Sequence, residues 1–484
     1  MPKWNTGPSW PVTVPSSPSV GWKGPHRRAA KCVRPLAAGL MAAALAAEPA
    51  LAAGINVARD AETEALLQEY AAPIFAEANI KAGDVQIFLV VDQSFNAFVV
   101  DSRRMFVNTG AMIAAETPGE IIGVIAHEAA HIDHGDLAGI RQTIARSTTA
   151  AIIATLLGAG AAVAGAAAGI GGLGDAASAV MAGSMHVAGR NILAYARAQE
   201  AAADQAALAY LEATGQSGMG MVAVMRRLAD QVMLSARGAD PYAQSHPMPA
   251  DRLATLEHLA TQSPHAGKKD PPELQLRHDL VRAKLAGFTL TPAQVGRLYK
   301  ESDDGLPARY AWAIASYRTG ALGPALKRID GLIASQPDNA FFQELKGQAL
   351  LEHGRPAEAV EPLRKAVSLA PSSGLLRIMF GQALVATEKD ANLGEAIKNL
   401  TVGLQKAPDV PVGWRTLARA YALKGDLPMA ELSTAEERFV IGNYKEAAIH
   451  ATRAQERLKP GSPAWLRAED ILTYKPPKPL KSPA

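Results

Sequence analysis

The chain of 484 residues contains a single cysteine, Cys32. It falls inside the N-terminal stretch read below as an export signal, so the mature chain has no thiol. That excludes disulfides, thiolate metal sites and cysteine nucleophiles. Aromatic residues make up only 5%, charged residues 20%, and the formal net charge is +3. There is no basic stripe interleaved with aromatics, so nucleic acid is excluded as a partner. Leu36 to Ala47 is apolar but too short for a comfortable membrane span. What is abundant is alanine, which favours helices, and a hydrophobic content of 48% reads as globular. A chain of this length needs more than one core.

The N-terminus has the layout of an export signal. His26-Arg27-Arg28 and Lys31 form a positive region, Leu36 to Ala47 an apolar run, and Ala50-Leu51-Ala52 a small-x-small cleavage site. Residues 1–53 are thus expected to be a signal peptide with an N-terminal extension. Ile55 to Ile80 reads as an amphipathic helix carrying Leu66, Leu67, Tyr70, Ile74 and Phe75 at helical spacing. Val85 to Val91, Phe98-Val99-Val100 and Met105-Phe106-Val107 read as strands of a small antiparallel sheet. Thr117-Pro118-Gly119-Glu120 predicts a helix start, with Thr117 as N-cap and Glu120 completing a capping box.

That helix carries Val124-Ile125-Ala126-His127-Glu128-Ala129-Ala130-His131-Ile132. Residues four apart share a helical face. His127 and His131 are placed to hold one metal ion, with Glu128 beside it to handle a water on that metal, the HExxH arrangement of zinc peptidases. A satisfied pair of structural histidines is the alternative. A catalytic zinc takes a third protein ligand. His134 lies about 10 Å along the helix from His127, too far to share the ion without unwinding. Glu200 is the better candidate, with Asp204 on the same face placed to buttress a ligand histidine. Spacing alone leaves an ordinary solvated helix equally open there.

Ser147 to Gly174 carries no charge and is rich in Ala and Gly. A cover near the site, an interfacial membrane contact and a true span are its three readings. Ser263 to Pro272 reads as a linker. Beyond it the chain repeats: Gly320, Ala325 and Pro337 recur as Gly354, Ala359 and Pro371, the tetratricopeptide period of about 34 residues. Further units follow through Gly381, Ala396 and Pro408, then Trp414, Leu417, Gly425 and Ala430, then Gly442, Tyr444 and Ala447. The expected organisation is a metallopeptidase domain over 54–262, a linker with connecting helices over 263–305, repeats over 306–473 and a disordered tail over 474–484. The fold class is mainly α: a zincin-type metallopeptidase domain with a small antiparallel β-sheet, followed by an α-solenoid.

The segments Arg59-Asp60-Ala61-Glu62, Asn96-Ala97-Phe98, Asn108-Thr109-Gly110, His127 to His131, Glu200 to Asp204, and Ser245-His246-Pro247 with Arg252 resemble the HtpX-like and CAAX-prenyl-peptidase-like zinc metallopeptidases. Their order resembles the periplasmic branch with repeats, the BepA-like β-barrel assembly-enhancing proteases, from Ile55 to the end of the repeats. The resemblance implies one Zn2+ per chain with Glu200 as third ligand. It places His246 near the metal, to stabilise an oxyanion or to occupy the open metal position and hold the enzyme latent. Arg252 would then orient nearby carboxylates or the intermediate, with a structural ion pair equally open. One departure is Gly135-Asp136, where the family often has a basic residue or histidine; His134 is the candidate substitute.

The expected activity is a zinc endopeptidase, exported to the periplasm, that cleaves unfolded or misassembled envelope proteins. Its substrate would lie extended against the sheet edge at Asn96, Ala97 and Phe98. The repeats would bind a protein, by resemblance the outer-membrane barrel assembly machinery. Two other readings are an adaptor or chaperone with a vestigial protease fold, and an integral inner-membrane metalloprotease.

Overall fold

The computed structural model describes residues 56–136, 139, 142, 195–234, 246, 250–320 and 322–475. The expected signal peptide, the charge-free stretch 147–174 and most of the expected tail lie outside the described residues. No described helix is long and apolar enough to cross a membrane. The described residues divide into two compact units, one of residues 56–58 with Glu64–Arg282 and one of Arg59–Thr63 with Ala283 onward.

In the first unit, strands β1 (Val57–Ala58), β2 (Gln86–Val90), β3 (Ala97–Asp101) and β4 (Arg104–Asn108) form one sheet in the order β1-β2-β4-β3. The strands fall where alternation placed them, but the sheet is mixed rather than antiparallel. β1 pairs with β2 and β3 with β4 in antiparallel fashion, whereas β2 and β4 run parallel. Alternation assigns faces to side chains and is silent on which strand lies next to which. The reason for the parallel pair is the link after β2, which passes over the place of β4 and delivers β3 to the outer edge.

The segment Asn108-Thr109-Gly110 pins that link. The Gly110 amide and the Thr109 hydroxyl both donate to the Asp92 carbonyl, at 2.8 and 2.9 Å. The Asn108 amide donates to the Asn96 carbonyl at 2.9 Å and its side chain to Ser94 Oγ at 3.0 Å. A Cβ on Gly110 would meet the Gln93 carbonyl oxygen at 2.2 Å, so only glycine lets the two backbones pass. On one face of the sheet Phe106 stacks between Phe88 and Phe98, with ring centroids 5.3 and 5.2 Å away.

Helix α1 (Ala61–Glu77) buries the expected stripe of Leu66, Leu67, Tyr70, Ile74 and Phe75, and begins later than expected because Val57–Ala58 is a strand. After α2 (Thr109–Ala114) comes α3 (Pro118–Asp133), the HExxH helix, with Ile121, Ile122, Val124, Ile125, Ala129 and Ala130 buried. Thr117 is its N-cap and Pro118 opens it, but the expected capping box does not form: the Thr117 side chain makes no cap hydrogen bond. Glu120 is drawn instead to the guanidinium of Arg227. Arg227 lies on α5 (Met219–Leu234), which crosses α3 closely; a Cβ on Gly123 would stand 2.7 Å from Met221 Cβ.

Between them in sequence lies α4, whose described part covers residues 195–213. Its buried positions, Glu200, Ala203, Asp204, Ala207 and Leu211, recur at helical spacing. Helices α6 (Ala250–Gln262) and α7 (Pro272–Thr289) follow.

The second unit consists, after α8 (Pro292–Leu298), of helical hairpins. They pair Leu306–Arg318 with Leu322–Ser335, Ala340–Glu352 with Pro356–Leu369, Gly374–Ala386 with Asp390–Lys406, and Pro411–Leu423 with Leu427–Val440. Tyr444–Gln455 and Pro463–Thr473 close the series. Gly347 and Gly381 occupy equivalent places: a Cβ on either would collide with Cγ of Leu363 or Leu400 in the paired helix. The repeating small residue is what lets paired helices touch, and neighbouring hairpins share one continuous core from Ala340 to Ala420.

Candidate metal centre

α3 lays His127 and His131 on one buried face, their Nε2 atoms 3.1 Å apart. α4 brings Glu200 to the same point. Its Oε2 lies 3.3 Å from His127 Nε2 and its Oε1 3.5 Å from His131 Nε2. His246, from the segment before α6, completes the group, with Nδ1 3.0 Å from both Glu200 oxygens and 3.3 Å from His127 Nε2. One ligand atom from each of the four side chains falls within 4.8 Å of the others, and all four residues are buried. Nitrogen and carboxylate donors converging in this way suit a divalent transition metal.

The outward-facing nitrogens of the two α3 imidazoles are each met by a carboxylate. Asp204 Oδ1 lies 3.1 Å from His127 Nδ1, and Asp136 Oδ2 2.7 Å from His131 Nδ1. Such carboxylates fix the ring and leave the inner nitrogen free to bind a metal. In the sequence Asp136 stood out only as part of a departure from the family pattern, with no role at the metal. It reaches back because Gly135, at φ 66°, reverses the chain after the helix in the left-handed region that glycine tolerates. His134, the candidate substitute there, is exposed at the helix C-cap and takes no part.

Arg252, on α6, is buried and holds two carboxylates of α4, Glu200 and Asp204. Its Nε and Nη2 donate to the two Asp204 oxygens at 2.5 and 2.9 Å, and its Nη1 stands 3.0 Å from Glu200 Oε2. At the other end of α4, Tyr210 donates to Asp133 at 2.7 Å and so ties the helix to α3. Burial opposes charge on His127, but Asp204 and Glu200 outweigh it and push its pKa up to about 10. Burial likewise opposes charge on Glu200, yet His246 and His127 hold its carboxyl well below the usual range.

Glu128 is 1% exposed, and neither of its oxygens has a hydrogen-bond partner among the described residues. His246 Nε2 stands 3.4 Å from Oε1. A buried carboxylate left in this state is costly unless it has a proton or a reactant to handle. Asn96, Ala97 and Phe98 lie at the start of β3, the outer strand, which packs against α3. Ala97 is buried and Phe98 half-buried, so this edge runs beside the helix that carries Glu128.

Residues 58–260 match the model of peptidase family M48. The buried histidine–glutamate cluster lies within the matched residues, so this part of the chain is similar to metallopeptidases of that family. It is similar along most of its length to proteins described as beta-barrel assembly-enhancing protease. The one from Yersinia pestis is 25% identical over 399 residues, covering 80% of this chain and 78% of that protein. The one from Escherichia coli strain K12 is 23% identical over 422 residues, covering 80% and 82%. Among solved structures, a crystal structure of MamA covers 33% of this chain and 90% of its own at 18% identity, with a TM-score of 0.27, too low to carry an argument.

Proposed function

We propose that this protein is a zinc endopeptidase that cleaves unfolded or misassembled polypeptides in the periplasm, in the service of outer-membrane protein assembly. The observation that carries this reading is the convergence of His127, His131 and Glu200 beside the buried carboxylate of Glu128, which has no hydrogen-bond partner among the described residues. Two imidazoles and a carboxylate form one of the established catalytic zinc sets. A zinc ion held there supplies Lewis-acid polarisation and a water that is acidic near neutral pH.

The chain's own residues do the rest. Glu128 accepts the proton of the attacking water and returns it to the leaving amine. Asp204 and Asp136 hold the two imidazoles in place, and Arg252 holds Asp204 and Glu200. The outer edge of β3, from Asn96 through Phe98, offers main-chain groups to an extended substrate and asks little of its side chains. That suits clients recognised by lack of structure. His246, whose Nδ1 joins the ligand cluster, fits a latch on the open metal position better than an oxyanion donor.

The hairpins after Leu306 are tetratricopeptide repeats in this reading, and they recruit a protein partner. The names of the relatives support the barrel assembly machinery as that partner. An adaptor with a vestigial protease fold has no need of an intact Glu128. Cleavage of casein decides between the two: Glu128→Gln should lower the rate by about 10²–10⁴-fold while metal remains bound. Equal cleavage by variant and wild type would contradict the proposal.

A further inference from the structure

A row of phenylalanines crosses the sheet. Phe88 on β2 stands directly opposite Phe106 on β4, and Phe98 on β3 stands opposite Phe106 on its other side. The rings stack: Phe88 on Phe106 with centroids 5.3 Å apart and planes at 23°, Phe106 on Phe98 at 5.2 Å and 14°. These spacings are close to the distance of about 4.7–4.9 Å between neighbouring strands, so the row advances by one ring per strand. With Val57, Val90 and Val100 the rings make a small apolar cluster of their own. Phe106, in the middle, is 1% exposed, whereas Phe98 is half-buried. Phe98 lies on the outermost strand, and among the described residues no further ring stacks on it.

The backbone of β3 fixes what a strand added there would meet. The Asn108 amide donates to the Asn96 carbonyl, so Asn96 and, two residues on, Phe98 turn their main-chain groups toward β4. Ala97 and Val99 therefore turn theirs to the outer edge. A chain that pairs with Ala97 and Val99, in either direction, sets one residue opposite Phe98. Directly opposite residues put their side chains on the same face. That side chain falls against the Phe98 ring, where another aromatic ring continues the row. The residues before and after it point to the other face and make no such contact.

We propose that Phe98 determines specificity: the edge of β3 takes a substrate strand with an aromatic residue opposite Phe98, and that ring sets which peptide bond reaches the metal centre. This preference rests on the endopeptidase activity proposed above, and it adds one side-chain contact to an edge that otherwise meets main chain. An aromatic ring there gains stacking that an aliphatic side chain of the same size lacks.

The test uses the full chain and short peptides of Ser, Thr and Ala that carry one phenylalanine, moved one place at a time. A second series carries cyclohexylalanine instead, which is apolar and of similar size but not aromatic. With the zinc-loaded wild type, fragments are identified by mass spectrometry and kcat/KM is measured. Cleavage should move with the phenylalanine at a constant offset, about 2–10-fold faster than for cyclohexylalanine. In parallel, fluorophore-labelled peptides are bound to the Glu128→Gln chain and read by anisotropy, where the phenylalanine series should bind tighter by about the same factor. Phe98→Leu should bring the ratio to about one, and Phe98→Tyr should keep it. Equal treatment of the two series by both measurements, a cleavage site that ignores the phenylalanine, or a ratio unchanged in Phe98→Leu would overturn the proposal. The peptide comparison needs no change at Phe98, so it decides even if Phe98→Leu folds poorly. A preference in binding with no cleavage by wild type counts against the endopeptidase alone, whereas cleavage without preference counts against the role of Phe98 alone.

Discussion

The carboxylate of Asp136 lies 2.7 Å from Nδ1 of His131, across a turn made at Gly135. Asp204 Oδ1 likewise lies 3.1 Å from Nδ1 of His127, so a carboxylate stands on the outer side of each imidazole of α3. Removing such a carboxylate typically costs 10–100-fold in metal affinity. Asp136→Asn should therefore weaken zinc retention by about that factor against a competing chelator, with circular dichroism unchanged. Unaltered retention would assign Asp136 to the helix end alone.

His246 Nδ1 stands among the ligand atoms, 3.0 Å from Glu200. If it latches the metal, His246→Ala should raise the rate of casein cleavage. An oxyanion role gives the opposite sign, a fall in kcat at unchanged KM.

His278 sets a pH dependence outside the metal centre. It is fully buried, accepts from the Tyr70 hydroxyl at 3.0 Å and donates from Nε2 to the Ala115 carbonyl at 3.0 Å. Burial first, with help from Arg282, pushes its pKa down to about 4 from 6.5. The folded state holds it neutral while the unfolded chain takes up a proton below 6.5. Its contribution is therefore complete above 6.5 and is lost as pH falls toward 4, by about 3 kcal/mol. His278→Gln keeps both hydrogen-bonding roles without titrating. Urea midpoints measured from neutral pH down to about 4 should fall less for the variant than for wild type. Parallel curves would refute this.

Gly123 is where α3 and α5 cross, with Met221 too near to admit a side chain. Gly123→Leu should cost about 1–3 kcal/mol or more through overpacking. Because α3 carries the metal ligands, zinc retention should fall along with the unfolding midpoint. A variant of wild-type stability would mean that the crossing is loose.

What could be read from the sequence was local. His127, Glu128 and His131 show themselves because helical geometry alone brings them together. Glu200 and Asp204 share a face for the same reason, though only the fold shows that the face points at the histidines. Features made by distant partners stayed hidden. Glu120 looked like half of a capping box until Arg227, 107 residues away, claimed it. Asp136 looked like a departure from pattern because its role depends on one left-handed turn. Nothing in its own helix marks Lys284, whose partners Asp60, Glu62 and Glu344 are all distant in sequence. Strand positions were evident from alternation, whereas the parallel neighbour of β2 depended on how the link through Asp92 was pinned.

The most direct test of the central claim is anomalous diffraction at the zinc absorption edge from crystals of the intact chain. The account predicts one strong peak per chain, about 2.0–2.2 Å from nitrogens of His127 and His131 and an oxygen of Glu200. A peak elsewhere, or a zinc-loaded chain in which Glu200 makes no contact with the ion, would contradict it.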